Sequence, residues 1–240
     1  MTNQGLNHQK LPLHVGIIMD GNRRWAKKNG LPVYLGHSRG AEVFKSLALY
    51  CNKIGLKYLT VYAFSTENWK RSAAEVSALM VLLKKYLNKV IKEFSSENMK
   101  MKFLGDVSAF SPDIQKLIQK IEKDSENNTG LQLNIAINYG SKSEILRATK
   151  ILAGKVILKE IDINSIDDKI FSENLYTNGD PDVDLLIRTG GEKRISNFML
   201  WQCAYAEFYF TDVLWPDFSE KSFNDAIEEY FSRTRRFGGA

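Results

Sequence analysis

Short apolar runs alternate with longer amphipathic segments along almost the whole chain, and this alternation constrains the fold more than any other feature. Six runs read as strands: His14–Met19, Tyr58–Phe64, Lys100–Leu104, Leu131–Asn138, Val183–Arg188 and Glu207–Phe210. Between them, apolar residues recur at three and four positions, which predicts helices at about 22–29, 37–54, 73–97, 111–127, 141–156 and 219–236. A further short helix is predicted after Ser196. Strands separated by helices pair in parallel rather than as hairpins. The expected fold class is α/β: a single domain with a central, mostly parallel six-stranded sheet flanked by helices. The 240 residues suffice for one such domain with a deep cavity. It is expected to span residues 13–240, with residues 1–12 as a flexible tail.

Composition narrows the function only a little. Lys and Arg total 33 against 28 Asp and Glu, a formal charge of +5. That favours anionic partners without choosing among nucleic acid, phosphorylated metabolites and anionic lipid. Cys51 and Cys203 stand far apart with no CxxC, which argues against a disulfide framework or zinc site and suits a reducing compartment. Residues 1–10 lack the apolar core of a signal peptide, and no apolar run is long enough for a bilayer. The expectation is a soluble, cytoplasmic protein.

In open parallel sheets, ligands bind beyond the carboxyl ends of the strands, and three polar clusters fall there. The first is Asp20-Gly21-Asn22-Arg23-Arg24-Trp25. A glycine turn lets backbone approach a ligand, and the following helix start offers free N–H groups. Two arginines in that first turn oppose the helix dipole, and a diphosphate would offset them. Asp20, at the strand tip, is placed to hold a Mg²⁺ that bridges phosphate oxygens. An ordinary turn capped by Asp20 or Asn22 fits these residues equally well.

The second cluster, Ser65-Thr66-Glu67-Asn68-Trp69-Lys70-Arg71, offers hydroxyls, a carboxylate, an amide, an aromatic wall and a cation. Ser72 with Glu75 makes a capping box, which accounts for Ser72 but not for Asn68 to Arg71. The third, Arg188-Thr189-Gly190-Gly191-Glu192-Lys193-Arg194-Ile195-Ser196, displays two arginine forks beside a glycine-rich turn suited to an anion. No GxxxxGK[ST] signature is present, which disfavours a nucleoside-triphosphate loop. Glu207 stands in an aromatic run, where a carboxylate is unexpected unless paired or metal-bound. Asp180, Asp182 and Asp184 alternate as a cation site would, yet Gly179 and Pro181 favour a solvated loop. His8 and His14 read as structural; His37, beside Gly36 at a helix start, is the histidine able to donate to a phosphate.

Four stretches together resemble the cis-prenyltransferase (isoprenyl transferase) family, most nearly the bacterial undecaprenyl diphosphate synthases. They are His14–Trp25 (HVGIIMDGNRRW), Tyr62–Trp69 (YAFSTENW), Asp184–Gly191 (DLLIRTGG) and Ser196–Glu207 (SNFMLWQCAYAE), the last continued by Phe210–Asp217. The similarity runs from about Leu13 to Gly239. It implies condensation of isopentenyl diphosphate onto an allylic diphosphate such as farnesyl diphosphate. The product would be a long-chain cis-polyprenyl diphosphate, of the kind used as a cell-wall lipid carrier.

Carried over residue by residue, the resemblance makes Asp20 the essential carboxylate and Mg²⁺ ligand. Gly21, Asn22, Arg23, Arg24 and His37 would hold the allylic diphosphate, and Trp25 would line the prenyl chain. Ser65, Thr66, Glu67, Trp69 and Arg71 match substrate contacts, and Asn68 the proposed proton acceptor. A neutral amide is a weak base, so the departing diphosphate is the alternative acceptor. Arg188, Arg194, Ile195 and Ser196 match the isopentenyl diphosphate site, and Glu207 a second Mg²⁺ ligand near a dimer interface. A homodimer, with peripheral contact at the inner face of the membrane for product release, is implied in the same way.

Departures from the family pattern are Arg23 for a frequent glycine, Val33 for an arginine and Lys193 for a histidine. Arg23 and Arg39 are the candidates to replace the contact that Val33 lacks. An apolar tunnel between sheet and helices, lined by Ala63 and the stripe Val76, Leu79, Met80, Leu83, Leu87, Val90 and Ile91, should set product length. A small residue at 63 predicts a long product. Arg235 and Arg236 would either reach a partner's site or fray as a basic tail. Two other readings are weaker. A non-catalytic subunit has no need of Asp20, Arg188, Arg194 and Glu207 together. A nucleic-acid binder would carry its arginines along one stripe rather than at strand ends, so nucleic acid is not an expected partner.

Overall fold

The computed structural model describes residues 11–93 and 97–233, with backbone alone for residues 90–93. Most of the tail expected at residues 1–12, the side chains of Val90 and Ile91, and the Arg235-Arg236 segment lie outside the described residues. Six strands, β1 (His14–Ile18), β2 (Tyr58–Ser65), β3 (Lys100–Leu104), β4 (Gln132–Tyr139), β5 (Leu185–Arg188) and β6 (Glu207–Phe210), form one sheet in the order β3-β4-β2-β1-β5-β6. Every pairing is parallel. The described helices are α1 (Asn22–Lys28), α2 (Val33–Lys53), α3 (Ala73–Glu93), α4 (Pro112–Ser125), α5 (Ser141–Ile157), α6 (Asp168–Glu173) and α7 (Glu220–Ser232).

Side chains alternate across the strands, so each face of the sheet has its own core. Val15, Ile17, Ile135, Ile137, Leu185 and Ile187 pack with α2, α4 and α7 on one side. Ile18, Ala136 and Leu186 pack on the other with Phe198, Met199 and Cys203. Runs buried on both faces explain why the strands read as continuously apolar.

Helix α2 starts at Val33, after Pro32 at its N-cap, four residues earlier than predicted. Proline's fixed φ is pre-organised for a helix entry. His37 therefore sits in the second turn rather than at the helix start. Helices α1 and α2 cross very closely: a Cβ at Gly36 would collide with the Asn22 carbonyl oxygen, and one at Gly40 with Asn22 Oδ1.

Two expectations are corrected. No helix follows Ser196; residues 196–205 form consecutive turns. Ser196, Asn197 and Met199 adopt left-handed φ of 48°, 62° and 47°, which a right-handed helix cannot accommodate. Nor do Asp180 and Asp184 belong to a solvated loop. Asp180 accepts from Lys102 Nζ (3.0 Å), Gln132 Nε2 (2.9 Å) and Asn134 Nδ2 (3.2 Å). Asp184 Oδ2 accepts the backbone N–H groups of Leu13 (2.8 Å) and His14 (3.2 Å), tying β1 to the approach to β5. His14 is structural as expected, bonded through both ring nitrogens to the Pro181 carbonyl and Thr60 Oγ1, each at 2.7 Å.

Candidate active site

Strand β1 pairs with β2 on one side and β5 on the other, so the clusters that follow these three strands are forced together at one rim. They enclose a cleft of about 790 Å³ lined by Asp20, Gly21, Asn22, Arg23, Arg24, His37, Ser65, Glu67, Asn68, Arg71, Arg188 and Ser196. Gly21 turns the chain after β1 with φ 117°. It is the N-cap of α1 and, like its neighbours, provides no side-chain cap, so the alternative of an Asp or Asn cap is not what forms.

Asp20 is the centre. Its Oδ2 accepts Arg188 Nη2 at 2.9 Å, and its Oδ1 faces Arg24 Nη2 at 3.2 Å. Thr189 Oγ1 (2.7 Å) and the Trp215 N–H (3.0 Å) donate to its carbonyl and fix the strand tip. Arg24 also donates to the Gly190 carbonyl, and Arg188 to the Arg194 carbonyl and, at 2.8 Å, to Ser196 Oγ. The Arg188 side chain is only 4% exposed, yet its Nε has no protein partner.

The opposite wall is equally ordered. Asn68 Oδ1 accepts the Ser65 N–H at 3.1 Å, closing a capping box over the 3-10 turn Thr66–Lys70. Partial burial would raise the Glu67 pKa, but hydrogen bonds from Asn197, Ser65 and Thr66 outweigh it and hold the carboxyl below its ordinary range. Glu75 accepts Arg71 at 3.0 Å and lies 3.8 Å from Arg23, so both cations are braced toward the cleft. Ser72 caps α3 through the Glu75 N–H (3.3 Å) as expected, whereas the Glu75 carboxylate turns to the arginines. His37 is pushed down to about 4, by burial first and then by Arg71, and its Nε2 is buried without a protein partner. Of the two candidates to replace an arginine at 33, Arg23 lines the cleft and Arg39 does not.

Behind the cleft, sharing Met19, Asn22, His37, Ala63 and Leu79 with it, an apolar cavity of about 150 Å³ runs between α2, α3 and the sheet. Leu79, Met80, Leu83 and Leu87 of the α3 stripe line it, with Phe103, Ile135 and Trp215. Ala63 faces it because Tyr62 pairs with Ala136 and Phe64 with Ile137, leaving Ala63 as the extra residue of a bulge in β2. A separate groove of about 900 Å³ lies outside, between the start of α2 and α3, lined by Val33, Tyr34, Ala78, Val81 and Leu82.

Six expected residues fall outside the cleft lining. Trp25 donates to Asp217 Oδ1 at 2.7 Å. Trp69 packs on Phe64 and Phe110 and donates to Asn138 Oδ1 at 2.7 Å. Thr66 bonds to Glu67, Ile195 packs into the second core, and Arg194 pairs with Glu192. Glu207 pairs through β5 with Leu185 and thence with Val15, at the amino end of the sheet, roughly 15 Å back along the strands from Asp20. There it accepts Arg233 at 2.9 Å. Within the chain it does not come to Asp20.

The sequence reading missed Glu75 as partner of two arginines; Arg71, in extended backbone two residues before α3, folds back onto Glu75 in the helix's first turn. It also missed Asn197, whose signal was its place beside Ser196, and Met19 and Tyr62 in the cleft lining. Among the described residues no group of three or more His, Cys, Asp or Glu could cage a metal. One carboxylate facing a basic cleft does suit Mg²⁺, which keeps its waters and takes one or two carboxylates plus substrate phosphate oxygens.

A cationic, carboxylate-centred cleft opening onto an apolar channel defines a class of proteins that handle a ligand with a polyanionic head and a long apolar tail. Residues 18–238 match the family described as "Putative undecaprenyl diphosphate synthase". The isoprenyl transferase of Clostridium tetani is 47% identical over 234 residues, covering 98% of this chain and 92% of its own. The ditrans,polycis-undecaprenyl-diphosphate synthase ((2E,6E)-farnesyl-diphosphate specific) of Pasteurella multocida is 50% identical over 235 residues, 98% of each chain. The crystal structure of lavandulyl diphosphate synthase from Lavandula x intermedia, in complex with dimethylallyl diphosphate, superposes with a TM-score of 0.92 at 38% identity, over 95% of this chain and 99% of that one. A probable undecaprenyl diphosphate synthase from Campylobacter jejuni gives 0.80 at 33% identity, over 96% and 100%. The chain belongs to this family of cis-prenyltransferases.

Proposed function

We propose that the chain condenses isopentenyl diphosphate onto an allylic diphosphate, farnesyl diphosphate being the natural primer, and repeats the step to build a long-chain, undecaprenyl-class product. The observation that carries this reading is the Asp20–Arg188 pair in a basic cleft that shares part of its lining with the apolar channel. It joins two anion-binding arms, one built by Arg23, Arg24, Arg71 and the start of α1, the other by Arg188 and Ser196.

In each cycle the allylic C–O bond breaks, a C–C bond forms to isopentenyl diphosphate, and one proton leaves. The first arm stabilises charge growing on the departing oxygens, where prepositioned cations and N–H groups act most strongly. The second arm holds the incoming diphosphate at the Arg188 fork and Ser196. A magnesium ion held by Asp20 and the diphosphate would neutralise leaving-group charge. Asn68 Oδ1 is already an acceptor for the Ser65 N–H. The departing diphosphate is therefore the better proton acceptor, with Asn68 positioning the turn. Neutral His37 lines the cleft beside the leaving group. The growing chain moves past Ala63 and the α3 stripe.

Glu207 would serve a metal only across a dimer, and such a dimer fits the open edge of β6, where Tyr205, Phe208 and Phe231 are exposed. Val33, Tyr34 and Val81 in the outer groove are a suitable surface for peripheral contact with lipid at the cytoplasmic face. Among the described residues no helix is long and apolar enough to cross a membrane. Incubation with farnesyl diphosphate, labelled isopentenyl diphosphate and Mg²⁺ tests the reading. Label should enter a butanol-extractable product in the wild type and not in Asp20→Ala. Full activity of the variant, or none in the wild type, overturns it.

A further inference from the structure

We infer that Asn197 is a positioning residue that locks the two walls of the cleft into register by capping α5 from a distant part of the chain. This rests on the reading of the cleft as a two-diphosphate site. The first N–H groups of a helix need partners, and α5 cannot supply its own. Its N-cap is Gly140, where a Cβ would lie 2.7 Å from Thr66 Oγ1 and 2.8 Å from Asn197 Nδ2. A capping side chain at 140 would have to displace the Thr66 hydroxyl and the Asn197 amide that now occupy this space.

The cap comes instead from Asn197. Its backbone oxygen accepts the Ser141 N–H at 2.8 Å, and its Oδ1 accepts the Lys142 N–H at 2.8 Å. Its Nδ2 then donates to Glu67 Oε1 at 3.0 Å. A primary amide both accepts and donates; at this size a carboxylate only accepts and an alkyl group does neither. The backbone at 197 is left-handed, a conformation that Asn tolerates better than most residues. Ser196, also left-handed, thereby aims its Oγ at Arg188 while Asn197 aims at Glu67. One dipeptide thus fastens the segment after β5 to the turn after β2 and to the helix after β4, spanning the mouth over β1. Asn197 itself lines the cleft.

The test compares Asn197→Asp, Asn197→Gly, Glu67→Gln and the double variant Asn197→Asp/Glu67→Gln. Asn197→Asp keeps the cap on Lys142 but sets two carboxylates against each other. KM for isopentenyl diphosphate should rise roughly 10- to 100-fold, the worth of a hydrogen bond to a charged group, with a smaller change in kcat. The double variant restores the bond with its polarity reversed, the new amide at position 67 donating to the new carboxylate at position 197, and should recover KM to that of Glu67→Gln alone. Asn197→Gly keeps the backbone conformation and loses both side-chain bonds, so hydrogen exchange at the Lys142 amide should accelerate. An unchanged KM in Asn197→Asp, a double variant no better than Asn197→Asp, or unaltered exchange at Lys142 overturns the inference. A wild type that consumes no isopentenyl diphosphate instead sinks the proposed function, and the exchange measurement still decides whether Asn197 caps α5.

Discussion

Acidification should weaken this fold through His37 by an amount the structure sets. His37 lies where cleft and channel meet, and burial, then Arg71 and Arg23, lower its pKa from 6.5 to about 4, with Glu75 opposing only in part. The unfolded chain takes up its proton near 6.5 and the folded protein only near 4, so between those values the unfolded state binds more protons and stability rises with pH. The contribution is whole above 6.5 and is lost as pH falls toward 4. Each tenfold change in proton affinity is about 1.4 kcal/mol, so the full gap is roughly 3 kcal/mol, of which about 2 kcal/mol would be gone by about pH 5.

Urea denaturation of the wild type and of His37→Gln, each at about pH 7.5 and about pH 5, isolates this contribution. His14, whose pKa is likewise lowered chiefly by burial, is common to both proteins and cancels. The wild type should lose about 2 kcal/mol more than the variant between the two conditions. Adding inorganic diphosphate at the lower pH should recover part of that loss, because the anion favours protonated His37. A difference between the two proteins that is flat with pH, or a wild type that gains relative stability on acidification, would refute the reasoning.

Other consequences are as direct. Ala63→Leu fills the channel at the bulge of β2 and should shorten the product, read by chromatography of the dephosphorylated prenols; unchanged long products would remove Ala63 from the lining. Arg188→Lys replaces a fork that serves Asp20, Ser196 and the Arg194 carbonyl by a point charge, so KM for isopentenyl diphosphate should rise at least about tenfold. Near-wild-type kinetics would show that the second anion arm lies elsewhere. Trp215→Phe leaves the Gly40 carbonyl without its 2.8 Å partner and should cost about 1–3 kcal/mol in a denaturation experiment. If the proposed dimer forms through the β6 edge, Phe208→Arg should yield a monomer in sedimentation where the wild type sediments as a dimer, and a variant that sediments as the wild type does would remove this edge as the interface.

The sheet and the rim of the site were legible because their signals are local. Each strand is a short apolar run, and each of β1, β2 and β5 ends in or is soon followed by charged residues, Asp20 after β1, Glu67 after β2 and Arg188 as the last residue of β5. Their convergence needed only parallel pairing with β1 in the middle. The segment after Ser196 was misread because Phe198, Met199, Leu200 and Trp201 have the apolar content of a helix, while the left-handed turns among them are imposed by bonds to Ser141 and Lys142 more than fifty positions away. Asp180 looked solvated for the same reason: Lys102, Gln132 and Asn134, which surround it, come from other strands. Composition could not show that Glu207 lies at the far end of its strand from Asp20, because that depends on register and not on residue type. Trp25 and Trp69 were assigned to substrate by the resemblance; their indole N–H groups bond to Asp217 and Asn138, outside the cleft lining.

The central claim is that this cleft and channel build a cis-polyprenyl chain, and the product itself tests it most directly. Purified protein supplied with farnesyl diphosphate, isopentenyl diphosphate and Mg²⁺ should yield a product whose mass shows repeated five-carbon additions and whose NMR spectrum assigns each added double bond as cis. A single addition, an all-trans product, or intact substrates after prolonged incubation would contradict the account.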